Sequence, residues 1–411
     1  MKIGFFTDRF YPQVDGVAVS TDIFARELIK LGHEVIIFCP QSADKKQNDP
    51  KYVKRFRSIP SFWYEGHRDT VPFNSKNIRL IESYNFDLIH VHTPAQIGVL
   101  GMRVARQHNI PIVITHHTDL DRYTRVYKKV MLGVLLGIML TPALVKETRH
   151  YREILKKLKP SRNIKNWNRK LIIESIGILY NNCDAVIVPS SKMRDSLKDY
   201  GFKKRAHILP TGIDLEEAKL GDDIDARTTF GIDKHAPLLL FVGRLGKEKN
   251  IQLIIKSMPK ILSENPDAVL LVVGDGPYSN ELKELAEETG VSNSVKFVGM
   301  QKRDLTFASF QDSDLFCFAS VTDTQGLVLN EAAIKSKPIV FVDEGISPLA
   351  QDGVTGIKAK NTAASFAKAC NKLINDKELA EKYGKKANQI AHTITIQKQA
   401  EKLLKIYKEL V

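Results

Sequence analysis

Cysteine is scarce: Cys39, Cys183, Cys317 and Cys370 are the only four in 411 residues, far apart and without a CxxC pair. That spacing excludes a disulfide framework and a thiolate-clustered zinc site, and implies buried thiols in a reducing compartment. No dinucleotide fingerprint is present: in Val273-Gly274-Asp275-Gly276-Pro277 a proline follows, and Ser279 stands where the third glycine would be. A membrane-spanning run is also lacking. The longest uncharged stretch, Val130 to Val145, stops at sixteen residues and contains Pro142, against the roughly 20 needed to cross a bilayer. Asp8 and Arg9 interrupt the N-terminus before a signal-peptide apolar core could develop, so a cytoplasmic protein is expected. Beyond a doubled βα pattern there is no internal repeat.

What is present is globular in composition, 43% apolar and 26% charged, at a length that suggests two or three domains. The net charge of +14 is concentrated. Between Arg122 and Lys170 fourteen Lys/Arg face only Glu147 and Glu153, an excess of twelve that leaves about +2 elsewhere. The uncharged run lies inside this segment with basic flanks on both sides. A buried core helix followed by a solvated basic loop satisfies this pattern, and so does a helix lying in an anionic bilayer surface. A nucleic-acid arm fits poorly, because the only aromatics available for stacking are Tyr123, Tyr127, Tyr151 and Trp167.

Short Val/Ile/Leu/Phe runs alternate with helical patterns, the mark of βαβ units and parallel sheets. Strands are expected at Lys2–Thr7, Glu34–Cys39, Leu88–Val91, Ile112–Thr115 and Ala185–Pro189. A second series falls at Leu238–Val242, Val269–Val273, Val295–Val298, Leu315–Phe318 and Ile339–Val342. The turn-rich Leu209-Pro210-Thr211-Gly212 separates the two series. The expected architecture is therefore two doubly wound α/β domains, 1–209 and 210–390, followed by an amphipathic helix within 391–411. A helix over Thr21–Leu31 closes on Gly32. Open α/β sheets bind ligands beyond the carboxyl ends of their strands, so the informative residues should follow strands.

After the first strand of the second series comes Gly243-Arg244-Leu245-Gly246-Lys247-Glu248-Lys249-Asn250, then an apolar helix. The glycines permit close backbone approach, Asn250 is an expected N-cap, and Arg244 and Lys249 before a helix N-terminus read as a pyrophosphate clamp. Gly274 and Gly276 form a tight turn in which Asp275 either faces the site or stabilises the turn. Gly326 is expected to open a helix, with Asp323 before it and Glu331 about a turn and a half inside, suited to accept two ribose hydroxyls. In the first half, the glycine-containing loop 12–20 is either a second anion cradle or an ordinary strand-to-helix turn. His116 and His117 leave a strand in opposite directions. His117 is expected to face the site as a general acid/base, hydrogen-bond donor or ligand, and His116 to pack.

At these residues the chain resembles a retaining glycosyltransferase of family 4 with the two-Rossmann GT-B architecture. The matching pieces are PQVDGVAVS (12–20), DLIHVHTPAQIG (87–98), THHTD (115–119), PTGID (210–214), VGRLGKEKN (242–250), VGDGP (273–277) and the 320–333 block. The family's E-x7-E signature becomes Asp323-x7-Glu331. The resemblance implies two domains facing a cleft and a UDP-sugar donor held mainly by the second. Arg244 and Lys249 would neutralise the diphosphate and Glu331 would hold the ribose. Gly243, Gly274, Asp275, Gly276, Gln325, Gly326, Leu327 and Val328 would line the donor site, with Gly16 and Val17 approaching the phosphate from the first domain. His117, Asp323, Arg244 and Lys249 carry the implied catalytic roles, and no metal or other cofactor is implied.

The stretches PQVDGVAVS and RSIPSFWYEGHR (57–68) resemble most the subgroup that glucosylates diacylglycerol. That implies a lipid acceptor and docking of 122–170 on an anionic membrane at the inner face of the cell membrane, an oligomer contact being the rival use of that segment. Another acceptor (a phosphoinositide, a teichoic acid or a soluble glycan) and a catalytically silent binding subunit are the alternative functions. Donor identity and oligomeric state are left open by the sequence.

Overall fold

A computed structural model describes residues 1–13, 15–42, 48–61, 68–70, 74–119 and 169–411. The apolar and basic residues 122–168, on which the membrane expectation rests, lie outside the described residues. The chain forms two compact units: Met1–Thr211 together with Ile396–Val411, and Gly212–Thr395. The crossover at 211/212 is close to the break read from Leu209–Gly212. The C-terminal segment is not a separate piece, however, because its last sixteen residues belong to the first unit.

In the first unit the chain runs β1 (Lys2–Phe6), α1 (Gly16–Lys30), β2 (Glu34–Pro40), β3 (Val53–Phe56), β4 (Ser58–Pro60), β5 (Arg68–Thr70), α2 (Ser75–Glu82), β6 (Leu88–Val91) and α3 (Gln96–Gln107). It continues through β7 (Ile112–Thr115), α4 (Arg169–Asn181), β8 (Ala185–Val188), α5 (Ser191–Asp199) and β9 (Ala206–Ile208). Seven strands make one parallel sheet in the order β3-β2-β1-β6-β7-β8-β9, with β4-β5 as a separate antiparallel pair. Burial of β2, β6, β7 and β8 on both faces explains their nearly continuous apolar sequences. Helix α1 begins at Gly16 rather than Thr21, because the Asp15 carboxylate accepts the Val17 and Ala18 amides and nucleates the earlier turn.

The second unit contains a 3-10 turn (Leu215–Lys219), α6 (Ala226–Thr229), β10 (Leu238–Val242), α7 (Ile251–Leu262), β11 (Val269–Val273), α8 (Ser279–Glu288), β12 (Val295–Phe297) and α9 (Arg303–Asp312). Then follow β13 (Leu315–Phe318), α10 (Val328–Ile334), β14 (Ile339–Phe341), β15 (Gly356–Lys358), α11 (Ala363–Asn375) and α12 (Lys377–Ala391). Its six-stranded parallel sheet has the order β12-β11-β10-β13-β14-β15. Winding therefore reverses between β10 and β13, as it does between β1 and β6 in the first unit. In a doubly wound sheet that reversal opens a crevice at the strands' carboxyl ends.

The last helix, α13 (Ile396–Lys408), lays Ala400, Leu403, Ile406 and Tyr407 into the first unit's core beside Phe5, Phe24 and Ile187. The Tyr407 hydroxyl is 2.5 Å from Nδ1 of His90, fixing the helix across 317 positions of sequence. Among the described residues, no helix is long and apolar enough to cross a membrane.

Candidate active site

At the second unit's switch point the glycines serve the chain itself. Gly243 has φ +151°, and a Cβ on Gly274 would collide with the Gly243 carbonyl. A Cβ on Gly276 would likewise strike the backbone of Leu245. The expected ligand approach is thus, at 274 and 276, an approach of backbone to backbone. The exposed Asp275 accepts the Gly276 amide at 2.7 Å, which is the turn-stabilising alternative.

The two cations read as a clamp are both paired. Arg244 forms an ion pair with the buried Glu248. Lys249 donates from Nζ to both oxygens of Asp323, at 2.8 and 2.9 Å, linking the loop after β10 to the loop after β13. The Glu248 carbonyl accepts from Ser320 (3.2 Å) and Thr322 (3.3 Å), reinforcing that link. Asn250 is not the expected cap. It sits at φ +56° and makes no capping bond, donating instead from Nδ2 to the Ala319 carbonyl at 3.1 Å and to Asn361 at 2.9 Å. Helix α7 therefore starts without a side-chain cap.

Gly326 (φ +67°) precedes the helix rather than opening it, and α10 starts at Val328, again without a side-chain cap. Glu331 consequently lies in the first turn, not a turn and a half inside. The Phe318 ring and Leu329 leave no room for a Cβ at 326. Gln325 is buried, whereas Leu327 and Val328 are half-buried. Glu331 lies 3.7 Å from Arg303, which also pairs with Glu217. Burial pushes the Glu331 carboxyl up to about 7, Arg303 opposing and Glu217 adding to the shift. Glu248, Arg303 and Glu217 were not foreseen. Glu248 lies within the loop already singled out, and Arg303 follows the strand at 295–297, so both carried the position-after-a-strand signal.

The first unit's switch point differs. Asp8, following β1, accepts the Ile97 amide at 2.8 Å and the Thr93 hydroxyl at 2.9 Å, so the N-terminus of α3 receives the protein's own carboxyl. Burial raises that carboxyl to about 6 against these hydrogen bonds. Asp15 does the same for α1, accepting the Val17 and Ala18 amides at 2.9 Å each while pairing with Arg9 at 3.2 Å. At the loop expected to be either an anion cradle or an ordinary strand-to-helix turn, the Val17 amide is bound by Asp15.

Four histidines cluster at the carboxyl ends of β6 and β7: His90 within β6, His92 after it, and His116 and His117 after β7. His116 is buried, its Nδ1 2.8 Å from the Tyr180 hydroxyl, while His117 is half-buried. This is the division that alternation along an extended segment implies. Nε2 of His117 is 3.1 Å from Nδ1 of His92, with the rings stacked at 5.4 Å. His92 in turn lies 4.2 Å from His90 between centroids. Burial lowers all four, to about 3 for His117 with His116 adding to the effect, to about 4 for His116, and well below the usual range for His90 and His92. The cluster is neutral near pH 7 and can exchange hydrogen bonds, not charge. Among the described residues, no group of three or more His, Cys, Asp or Glu is arranged to hold a metal ion.

Comparison with known proteins agrees with this geometry. Residues 14–217 match the Glycosyltransferase Family 4 domain, and residues 222–390 match Glycosyl transferases group 1. The chain is 32% identical to an alpha-monoglucosyldiacylglycerol synthase of Streptococcus pneumoniae, over 83% of this chain and 70% of that protein. It is 29% identical to the enzyme of the same name from Acholeplasma laidlawii, over 87% and 84%. In fold it is similar to Anabaena Alr3699/HepE in complex with UDP (TM-score 0.72, 17% identity, all of both chains). Sucrose-phosphate synthase of Thermosynechococcus elongatus is also similar (TM-score 0.73, 18% identity, 100% and 98% covered). With two doubly wound units and a relative above 30% identity across most of both chains, this protein belongs to glycosyltransferase family 4 and has the GT-B fold.

Proposed function

We propose that the protein moves a hexose, glucose in the first instance, from a UDP-sugar to a membrane lipid, 1,2-diacylglycerol, with retention at the anomeric carbon. The observation that carries this reading is the pair of uncapped helix starts, α7 and α10, flanked by Arg244 and Lys249 at the switch point of the second unit. Helix starts without a side-chain cap and fixed cations favour an anionic leaving group there without a bound metal. Glu331, as carboxylate, accepts the ribose hydroxyls. Lys249, held by Asp323, supplies positive charge as the bond from sugar to diphosphate breaks. No side chain is assigned as a nucleophile, so the work is stabilisation of an oxocarbenium-like sugar beside the departing diphosphate. His117 contributes a neutral hydrogen bond on the sugar side. The names of the two synthase relatives support the choice of acceptor.

The test is a donor screen on vesicles containing diacylglycerol, with and without EDTA. Monoglucosyldiacylglycerol of α configuration, formed equally in EDTA, is the expected product. Transfer only to a soluble glycan would overturn the acceptor, and a strict requirement for added divalent cation would overturn the metal-free clamp.

A further inference from the structure

The described residues carry a second concentration of positive charge, apart from the basic segment noted in the sequence and apart from the donor site. A groove of about 660 Å³ runs along β9, the terminal strand of the first unit's sheet. Three stretches distant in sequence bring cations to it: Arg194 and Lys198 from α5, Lys204 and Arg205 from the loop before β9, and Lys402 and Lys405 from α13. Among the described residues, no carboxylate lines it. Of the nearby acids, Asp195 is shared by Arg194 at 3.0 Å and Lys198 at 3.5 Å, and Glu409 acts on His207. Six lining cations with no lining carboxylate among the described residues leave a local surplus of positive charge. His207 adds nothing to it near pH 7, since burial and then Arg205 hold its imidazole below the usual range.

Like charges do not converge on a concave surface without cost, and a multivalent anion removes that cost. The floor is apolar and rigid: Leu197, Leu209 and Ile406 are nearly buried, and Lys204 is tethered by donating to the Cys183 carbonyl at 2.7 Å. The six cations themselves are exposed, so a multivalent anion can reach several of them at once. The volume falls in the roughly 300–1,000 Å³ range of small-molecule sites, and a concave seat suits a discrete molecule better than a planar bilayer. We propose that this groove is a second anion site, taking a small soluble molecule that carries two or more phosphoryl groups. The inference goes beyond the proposed transferase reading and does not depend on it.

The probe is inorganic tripolyphosphate, titrated calorimetrically into the full-length protein. Saturable binding at a site that needs Lys402 and Lys405 is expected. Lys402→Glu/Lys405→Glu should weaken it at least tenfold, with Arg205→Gln as the milder variant should the double change impair folding. Two controls locate the site. Lys385→Glu/Lys386→Glu alters a different surface groove that also contains Glu378 and Glu381 and should leave the binding unchanged, and Arg244→Ala/Lys249→Ala, which removes the donor clamp as a competing site for the probe, should still show one saturable site that needs Lys402 and Lys405. Absent or non-saturable binding, equal loss in the Lys385/Lys386 variant, or loss only in the clamp variant would overturn the proposal. So would binding to phosphatidic acid vesicles through Lys402 and Lys405 without binding of tripolyphosphate, since the groove would then read a lipid surface.

Discussion

Lys249 reaches both carboxylate oxygens of Asp323, within 2.9 Å, although the two residues lie 74 positions apart. The cation assigned to the leaving diphosphate is therefore positioned by the residue that departs from the family's E-x7-E signature. Lys249→Ala should lower turnover at least roughly tenfold, as loss of one charge-stabilising contact does. If Asp323 acts by holding Lys249, the two effects overlap. The Lys249→Ala/Asp323→Ala double variant should then be no more than about threefold slower than Lys249→Ala, a coupling that a double-mutant cycle on kcat reads directly.

Glu331 gives a pH signature. Burial pushes its carboxyl up to about 7, and in the proposed role it is the ionised form that accepts two ribose hydroxyls. Affinity for UDP-glucose, whose phosphates do not titrate in this range, should rise roughly tenfold between pH 6 and 8, as ionisation around a midpoint near 7 dictates. Calorimetry on Glu331→Gln should show weaker binding with that slope abolished.

The histidines act on stability, in the direction of greater stability at higher pH. An imidazole held at about 3 in the folded state, as for His117, but near 6.5 when unfolded contributes stability present above pH 6.5 and lost as pH falls. From pH 7.5 to 5.5 the loss is about 1.4 kcal/mol for one such group. Asp8 and Glu331, both raised, run the other way over the same interval. The clean measurement is a difference: urea unfolding of His117→Gln should lose less stability on acidification than wild type, by roughly 1 kcal/mol.

Tyr407→Phe removes a buried hydroxyl and strands Nδ1 of His90. The expected destabilisation is about 1–3 kcal/mol, measured by chemical unfolding. Deleting 396–411 should do far more, exposing the core faces that Leu403 and Ile406 cover.

Central strands were legible in the sequence because burial on both faces demands unbroken apolar runs, as in Val269–Val273. The edge strands β3, β9 and β15 were not, since three or four residues such as Gly356–Lys358 become a strand only through their neighbour. Asn250 looked like a cap by residue type, yet its side chain finds the Ala319 carbonyl, a partner made available only by folding. Arg244, Lys249 and Glu331 could be named from their places after strands. Asp323 could be named as well, but its pairing with Lys249, like that of Arg244 with Glu248 and of Glu331 with Arg303, required coordinates, because charge pairing depends on distance and not on motif. The amphipathic stripe of the last helix was visible, but its docking on the first unit was not.

The filled helix starts of the first unit have a directional consequence. The two halves are similar enough in winding that a nucleotide could in principle lodge in either. At the earlier crossover it would have to displace Asp8 and Asp15 from amides they already hold and endure their repulsion, so two built-in carboxylates make the near-symmetric crossovers unequal toward anions.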